Sequence, residues 1–226
     1  MPRTEFDPVA QLKLLGTRDF KIPFKALAAV PDDAGAIRKS AVLLLFGESS
    51  NHLPQTPTDL DILLIQRSPN LRYHAGQISF PGGGVEPQDQ NHTDTALREN
   101  HEETGVPGSQ VTPLGELQPL FLPVSNNLVT PVLGWRHTRS EIRADQVEAI
   151  SAFRASLAEL LNPENRGTLT LKFDGHKVGT PAFEISSPHG KTLLWGFTAM
   201  VFDGVISELG WEIPWDESRQ LYLPTR

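Results

Sequence analysis

The stretch GQISFPGGGVEPQDQNHTDTALRENHEETGV, residues 76–106, decides how the rest of the chain is read. A short apolar segment with Ile78 and Phe80 runs into Pro81 and three glycines, then an acidic loop, then a segment carrying Arg98, Glu99, Glu102 and Glu103. That segment is expected to be a helix beginning between Asn91 and Asp94, where capping side chains stand, and ending at Gly105. Glu99, Glu102 and Glu103 then fall at i, i+3 and i+4, so their carboxylates share one helix face. Like charges at that spacing weaken an isolated helix, and something positive has to offset them. A hard divalent cation such as Mg²⁺ or Mn²⁺, which prefers carboxylate oxygens, is the simplest candidate. The glycines ahead of the helix leave the main chain open to close approach by a ligand. The other side of the helix offers only Ala96, Leu97, Asn100 and Thr104, so loops have to hold it as much as core burial does. The stretch reads as the active site of a metal-dependent enzyme acting on phosphates.

Outward from it, residues 40–47 (SAVLLLFG) and 61–66 (DILLIQ) read as buried strands joined by an exposed loop. The segment RSPNLRYHAGQ follows, with Arg67, Arg72 and His74 as cationic or potentially cationic groups. Residues 114–122 and 128–135 are expected to be strands, as are 145–150, 169–173 and 182–186. Helices are expected over 155–161 and, most clearly, 195–209, where Phe197, Val201, Val205, Ile206 and Leu209 recur near helical spacing. Trp195, Phe197 and Phe202 read as core, whereas Trp211 and Trp215 suit an exposed lid or a dimer surface. Residues 1–36 form a helical arm and 37–226 the main domain, with no repeat or linker to suggest a second one.

The totals set limits. With 226 residues, 38% hydrophobic and 21% charged, the chain suits one well-buried domain. Its net charge of −7 argues against a nonspecific nucleic-acid partner, which needs a basic surface. Having no cysteine, it has no disulfide, thiolate metal site or cysteine nucleophile. The N-terminal sequence has no apolar core of signal-peptide length and no run is long enough to span a bilayer, so a cytoplasmic location without a membrane partner is expected.

From residue 63 to 106 the sequence resembles the Nudix hydrolases, which cleave a nucleoside diphosphate linked to another group. Gly84, Arg98, Glu99, Glu102, Glu103, Gly105 and Val106 fall on the family's box. Gln90 stands where the box has a loop glutamate and Asn100 where it has an aliphatic residue, so Glu86 or Asp89 becomes the candidate partner of Arg98. The longer run LLIQRSPNLRYHAGQISFPGGGVEPQD, with LVTPVLGW and LLWGFTAMV further on, is similar to the coenzyme A pyrophosphatase branch, where a residue other than glutamate is expected at position 90.

The resemblance implies an α/β/α sandwich with a mixed β-sheet between helices. It implies hydrolysis of the diphosphate of coenzyme A, with acyl-coenzyme A left open as a substrate, to 4′-phosphopantetheine and adenosine 3′,5′-bisphosphate with Mg²⁺ or Mn²⁺. Glu99 and Glu103 would hold metal, Glu102 would share or support it, and Gly83 with Gly82 and Gly84 would complete a main-chain cradle for metal and diphosphate. Arg98 would pin the loop and orient the carboxylates. Glu99 is the expected base and Glu148 the alternative. Arg67, Arg72 and His74 are candidates for the 3′-phosphate of coenzyme A, although an arginine pairing with a nearby carboxylate is the competing reading. Gln77 either orients the loop or touches substrate. Two other functions stay open: a pyrophosphatase for ADP-ribose, NADH or a (deoxy)nucleoside triphosphate, and a non-catalytic nucleotide sensor. The partner is thus a small molecule, and a homodimer fits.

Overall fold

The computed structural model describes residues 6–22, 36–50, 52–71, 74–139, 141–173 and 176–223. Its centre is a strand that is apolar on both faces. Arg38–Glu48 (β1) turns Ala41, Leu43 and Leu45 to one side and Leu44 and Phe46 to the other, all buried, as in a strand covered above and below. The strands around it are Leu60–Arg67 (β2), Ile78–Ser79 (β3), Gly82–Gly84 (β4), Val111–Glu116 (β5), Leu120–Leu122 (β6), Asn127–Arg136 (β7) and Ala149–Ser156 (β8). Among the described residues these form one mixed eight-stranded sheet along the path β3-β2-β1-β7-β5, with β4 beside β1, β6 beside β7 and β8 beside β2. β1 and β7 run parallel; β2 and β4 lie antiparallel to β1.

Helices cover both faces, which makes the α/β/α sandwich. The helices are Pro8–Gly16 (α1), His92–Thr104 (α2), the single turn Leu157–Leu160 (α3) and Gly196–Glu208 (α4). On one face Ala96 of α2 and Val106 just beyond it pack on Ala41, Leu43, Leu45, Leu63 and Val132. On the other, Leu12 and Leu15 of α1 and Val201, Phe202, Val205 and Ile206 of α4 pack on Leu44, Phe46, Ile62, Leu64 and Leu133. A second sheet is made of Arg166–Phe173 (β9), His176–Ser187 (β10), Gly190–Leu194 (β11) and Gln220–Leu221 (β12), in the order β11-β10-β9-β12. It meets α4 where Phe183 and Phe202 stack edge to face at 5.4 Å.

Several boundaries differ from the sequence reading. The strand expected at 145–150 begins only at Ala149, as β8, and runs on to Ser156, taking over the start of the helix expected at 155–161. AISAFRAS alternates buried and half-buried side chains along its whole length, the two-residue period of a strand. Only one helical turn then remains, capped by Ser156. The strand expected over 114–122 is broken into β5 and β6 around Pro119, which has no N–H to give a ladder. Trp211 is not exposed. It is 4% accessible, donates through Nε1 to Gln11 Oε1 at 2.6 Å, and lies edge-on to Phe6 and Phe46, fixing the first helix to the core. Trp215 is half-buried over the Arg166 guanidinium, 4.4 Å from ring centre to Cζ. Among the described residues no helix is long and apolar enough to cross a membrane.

One buried ion pair braces the far end of the sheet. Arg136 Nη2 meets Asp61 Oδ1 at 2.6 Å with both side chains almost wholly inaccessible, and Nη1 reaches Thr138 O at 3.1 Å. Burial pushes the Asp61 carboxyl up, with the Arg136 charge opposing. Removing one partner strands the other charge in a dry setting. Arg136→Met is therefore expected to lower the unfolding free energy in urea by about 3–5 kcal/mol, and a loss below about 1 kcal/mol would show that the pair contributes no more than an exposed one.

Candidate active site

The acidic helix, the glycine strand, the end of β2 and the turn before β8 converge at one end of the sheet. Three features of the sequence build the helix there: Asn91 caps its start by accepting from Asp94 N at 2.9 Å, Gly105 ends it in the left-handed region at φ 72°, and a buried row of Thr95, Ala96, Asn100, Glu103 and Thr104 seats it. Asn100 replaces the aliphatic residue of the box. It is fully buried, and its side-chain amide is bonded at both ends: Nδ2 donates to Val106 O at 3.3 Å and Oδ1 accepts from Thr104 Oγ1 at 3.3 Å.

Arg98 ties the loop to the helix. Its Nε and Nη2 donate to the two oxygens of Asp89 at 3.1 and 3.0 Å, and Nη2 also to Gly84 O at 2.9 Å. Nη1 donates to Glu99 Oε1 at 3.0 Å and to Glu102 Oε2 at 3.4 Å. The Asp89 carboxylate is 3% exposed and also accepts from Glu86 N at 2.9 Å and Thr95 Oγ1 at 2.8 Å. These bonds, those from Arg98 first, hold Asp89 well below the usual carboxylate range, while Asp89 stabilises the charged Arg98 in turn. Gln90 takes no part in this clamp; its N–H donates to Asp94 Oδ2 at 3.2 Å. The partner of Arg98 is thus Asp89, one residue earlier than the box places it, with Glu86 at 4.0 Å.

The glycines serve two purposes. A Cβ on Gly83 would stand 2.3 Å from Glu99 Oε1, so the space its side chain lacks is filled by that carboxylate. A Cβ on Gly82, at φ 155°, would strike Ala41 O at 2.3 Å, so this glycine lets the strand approach β1. Gly84 faces open space and contributes its carbonyl to Arg98.

Glu103 is the most confined acid of the three. It is 2% exposed, its Oε2 accepts from Gly82 N at 2.8 Å, and its Oε1 is buried with no partner. Burial pushes it up to about 8, against the Gly82 N–H and the charge of Arg67, and the charges of Glu99 and Glu148 push the same way as burial. Glu99 is raised as well, by burial first, with Arg98 opposing. Glu102 is largely exposed.

The other expected residues divide. Glu148 stands in the electrostatic neighbourhood of Glu99 and Glu103, raising both. It is presented by Asp145, whose carboxylate accepts from the N–H groups of Val147, Glu148 and Ala149 at 2.8–3.2 Å. Neither Asp145 nor Thr95 stood out in the sequence, although an Asp ahead of a turn is a common device for binding the following amides. Arg67 sits at the end of β2 with its Nε buried and unpartnered. His74 and Gln77 bond to each other, Nδ1 to Oε1 at 2.9 Å, within a turn where His74 has φ 57°. Arg72 lies outside the described residues.

Among the described residues no three His, Asp or Glu side chains close on a common point; Glu99 and Glu103 are turned to Arg98 and to Gly82 N. The donor chemistry nevertheless fits a hard divalent cation. An unpartnered carboxylate oxygen, buried beside two further acids, asks for a positive centre that ligates oxygen.

Comparison with known proteins gives relatives of this sequence. A profile described as NUDIX domain matches residues 38–169. The protein described as Uncharacterized Nudix hydrolase NudL of Yersinia enterocolitica is 36% identical over 140 residues, 62% of this chain and 69% of its own. Its namesake in Escherichia coli is 36% identical over 154 residues, 67% of this chain and 74% of its own. A solved MutT/nudix family protein from Enterococcus faecalis superposes on 91% of this chain and 76% of its own, with 17% identity and a TM-score of 0.49.

The confinement of Glu103 has a measurable sign. Its folded pKa of about 8 lies above the ordinary 4.5, so between those values the folded chain keeps a proton that the unfolded chain has released. Stability from this group is full below that window and is lost as pH rises through it. Without divalent metal, the Tm of the wild type relative to that of Glu103→Gln is expected to fall from about pH 5 to about pH 8. A difference that stays flat or rises over that window would contradict the burial of this carboxyl.

Proposed function

The chain belongs to the Nudix family of hydrolases, acting on the diphosphate of nucleoside diphosphate derivatives, and within that family we propose that it is a coenzyme A diphosphatase. The observation that carries this reading is the pairing of Asp89 with Arg98 at 3.0 and 3.1 Å. It accounts for Gln90 at the position where the family box has glutamate, a departure that the coenzyme A branch shares, and leaves the clamp intact. The same pairing, together with the bonded Asn100 side chain, weighs against the non-catalytic sensor that Gln90 and Asn100 kept open.

Water has to reach a phosphorus already surrounded by negative oxygens. Glu99 and Glu103 would hold the divalent cation, with Glu102 beside them and the main chain at Gly83 completing the set. Bound there, Mg²⁺ or Mn²⁺ neutralises phosphoryl oxygens and lowers the pKa of water. Arg98 fixes the rotamer of Glu99 through Nη1 and the course of the glycine strand through Nη2, as charge-assisted bonds from a planar guanidinium do. Gly84, which faces open space, leaves room for the diphosphate, while Gly82 brings the main chain of the cradle down onto β1. The proton of the attacking water goes to Glu99; Glu148, held close by Asp145, is the second candidate for that role. Arg72 and His74 offer cationic groups for the 3′-phosphate, with Gln77 orienting His74.

Side-by-side turnover of coenzyme A, ADP-ribose and NADH with Mg²⁺ or Mn²⁺ tests the reading, with the highest kcat/KM expected for coenzyme A. A preference for ADP-ribose or NADH would overturn the substrate and keep the chemistry. Glu99→Gln is expected to lower kcat by about a hundredfold or more, and an unchanged kcat would remove Glu99 as the base.

A further inference from the structure

Two buried polar atoms at this site, on side chains of opposite charge, are left without hydrogen-bond partners. Arg67 lies on β2 four residues after Leu63, which packs against the α2 face, and so projects to the face of the sheet that carries Glu103. Its charge reaches Glu103, favouring the ionised carboxylate. Arg67 Nε and Glu103 Oε1 are nevertheless both buried and both lack a hydrogen bond, so they do not meet each other. Ser79, directly across from Ile65 on the neighbouring strand, leaves a third buried polar atom unsatisfied on that face.

An orphaned N–H donor and an orphaned carboxylate oxygen within electrostatic reach of each other are costly unless a ligand satisfies both. The donor asks for an anionic oxygen and the acceptor for a cation. A phosphoryl oxygen beside the arginine, on a diphosphate neutralised from the carboxylate side, supplies both. Resting on the reading of this site as a diphosphatase, we propose that Arg67 binds an oxygen of the scissile diphosphate itself, across from Glu103, and not the distant 3′-phosphate. Arg67 is then a catalytic residue common to every diphosphate the enzyme cleaves, and discrimination for coenzyme A falls to groups beyond β2 such as His74. The buried setting suits arginine, whose guanidinium stays charged where a lysine would lose its proton more readily.

The test compares Arg67→Gln and Arg67→Lys with the wild type, on coenzyme A and on 3′-dephospho-coenzyme A. Arg67→Gln is expected to lower kcat on both by the same factor, about tenfold or more, with part restored in Arg67→Lys and Mn²⁺ affinity kept within about threefold. Calorimetric binding of inorganic pyrophosphate in the presence of Mg²⁺, which needs no turnover, is expected to weaken about tenfold in Arg67→Gln. A defect confined to the KM for coenzyme A, with 3′-dephospho-coenzyme A and pyrophosphate unaffected, would return Arg67 to the 3′-phosphate and overturn the proposal. Loss of Mn²⁺ binding in folded variants of both kinds would overturn it too, making Arg67 a support for the carboxylates alone. Should Arg67→Gln fail to fold, Arg67→Lys and the pyrophosphate titration decide. If the wild type prefers ADP-ribose, the coenzyme A reading fails while the same comparison on ADP-ribose still judges Arg67.

Discussion

A carboxylate pressed beneath the glycine strand sets the terms for everything around it. Glu103 is held there by one hydrogen bond, from Gly82 N, and burial makes its charge expensive. In a helix whose buried row is mostly polar, such a residue gives little to stability. On the proposed function a cation shares it, and the neighbouring parts of the fold fit that reading. The glycine strand lies flat on β1 since only a residue without a side chain fits over Ala41, and the adjoining glycine leaves room for the Glu99 carboxylate. Helix, strand and sheet therefore meet through contacts that a single methyl group at either glycine would break.

The second consequence is mechanical. A helix with so thin an apolar stripe cannot be positioned by packing alone, and the Arg98 clamp replaces the missing hydrophobic anchorage. One guanidinium spans the loop at Asp89, the strand end at Gly84 and the helix itself at Glu99. Since both ends of the arrangement are fixed to the central sheet, the acidic face is presented with the tolerance that phosphoryl chemistry requires. The opposite face of the sheet carries the ordinary burden of stability, through α1, α4 and the aromatic contacts of Phe46, Trp211, Phe183 and Phe202.

Much of this was legible in the residues. The helix with its cap at Asn91 and its end at Gly105, the doubly apolar β1 and the long α4 follow from local chemistry that tertiary context does not override. Asp89 could be named as a partner for Arg98 but not chosen over Glu86, because loop geometry decides between them. The second sheet was only half visible: the two segments that form its centre read as a strand pair, whereas β11 and β12 are short and take their meaning from partners distant in sequence. β8 was caught only at its ends, its first two residues in an expected strand and its last two in an expected helix, because its pairing with β2, which defines it, is distant in sequence. Trp211 read as exposed since nothing in the tail reveals that Gln11, two hundred residues away, waits for its indole. The pairing of orphaned atoms at Arg67 and Glu103 has no signature in sequence at all.

All of these features gain their sense from a divalent cation on the acidic face of α2. The most direct measurement is a calorimetric titration of Mn²⁺ into the wild type and into the Glu99→Gln, Glu103→Gln double variant at neutral pH, in buffers of different ionisation enthalpy. Saturable uptake by the wild type with release of a proton, and its loss in the double variant, is the expected result. Uptake that is absent from the wild type, or equally tight in the double variant, would contradict it.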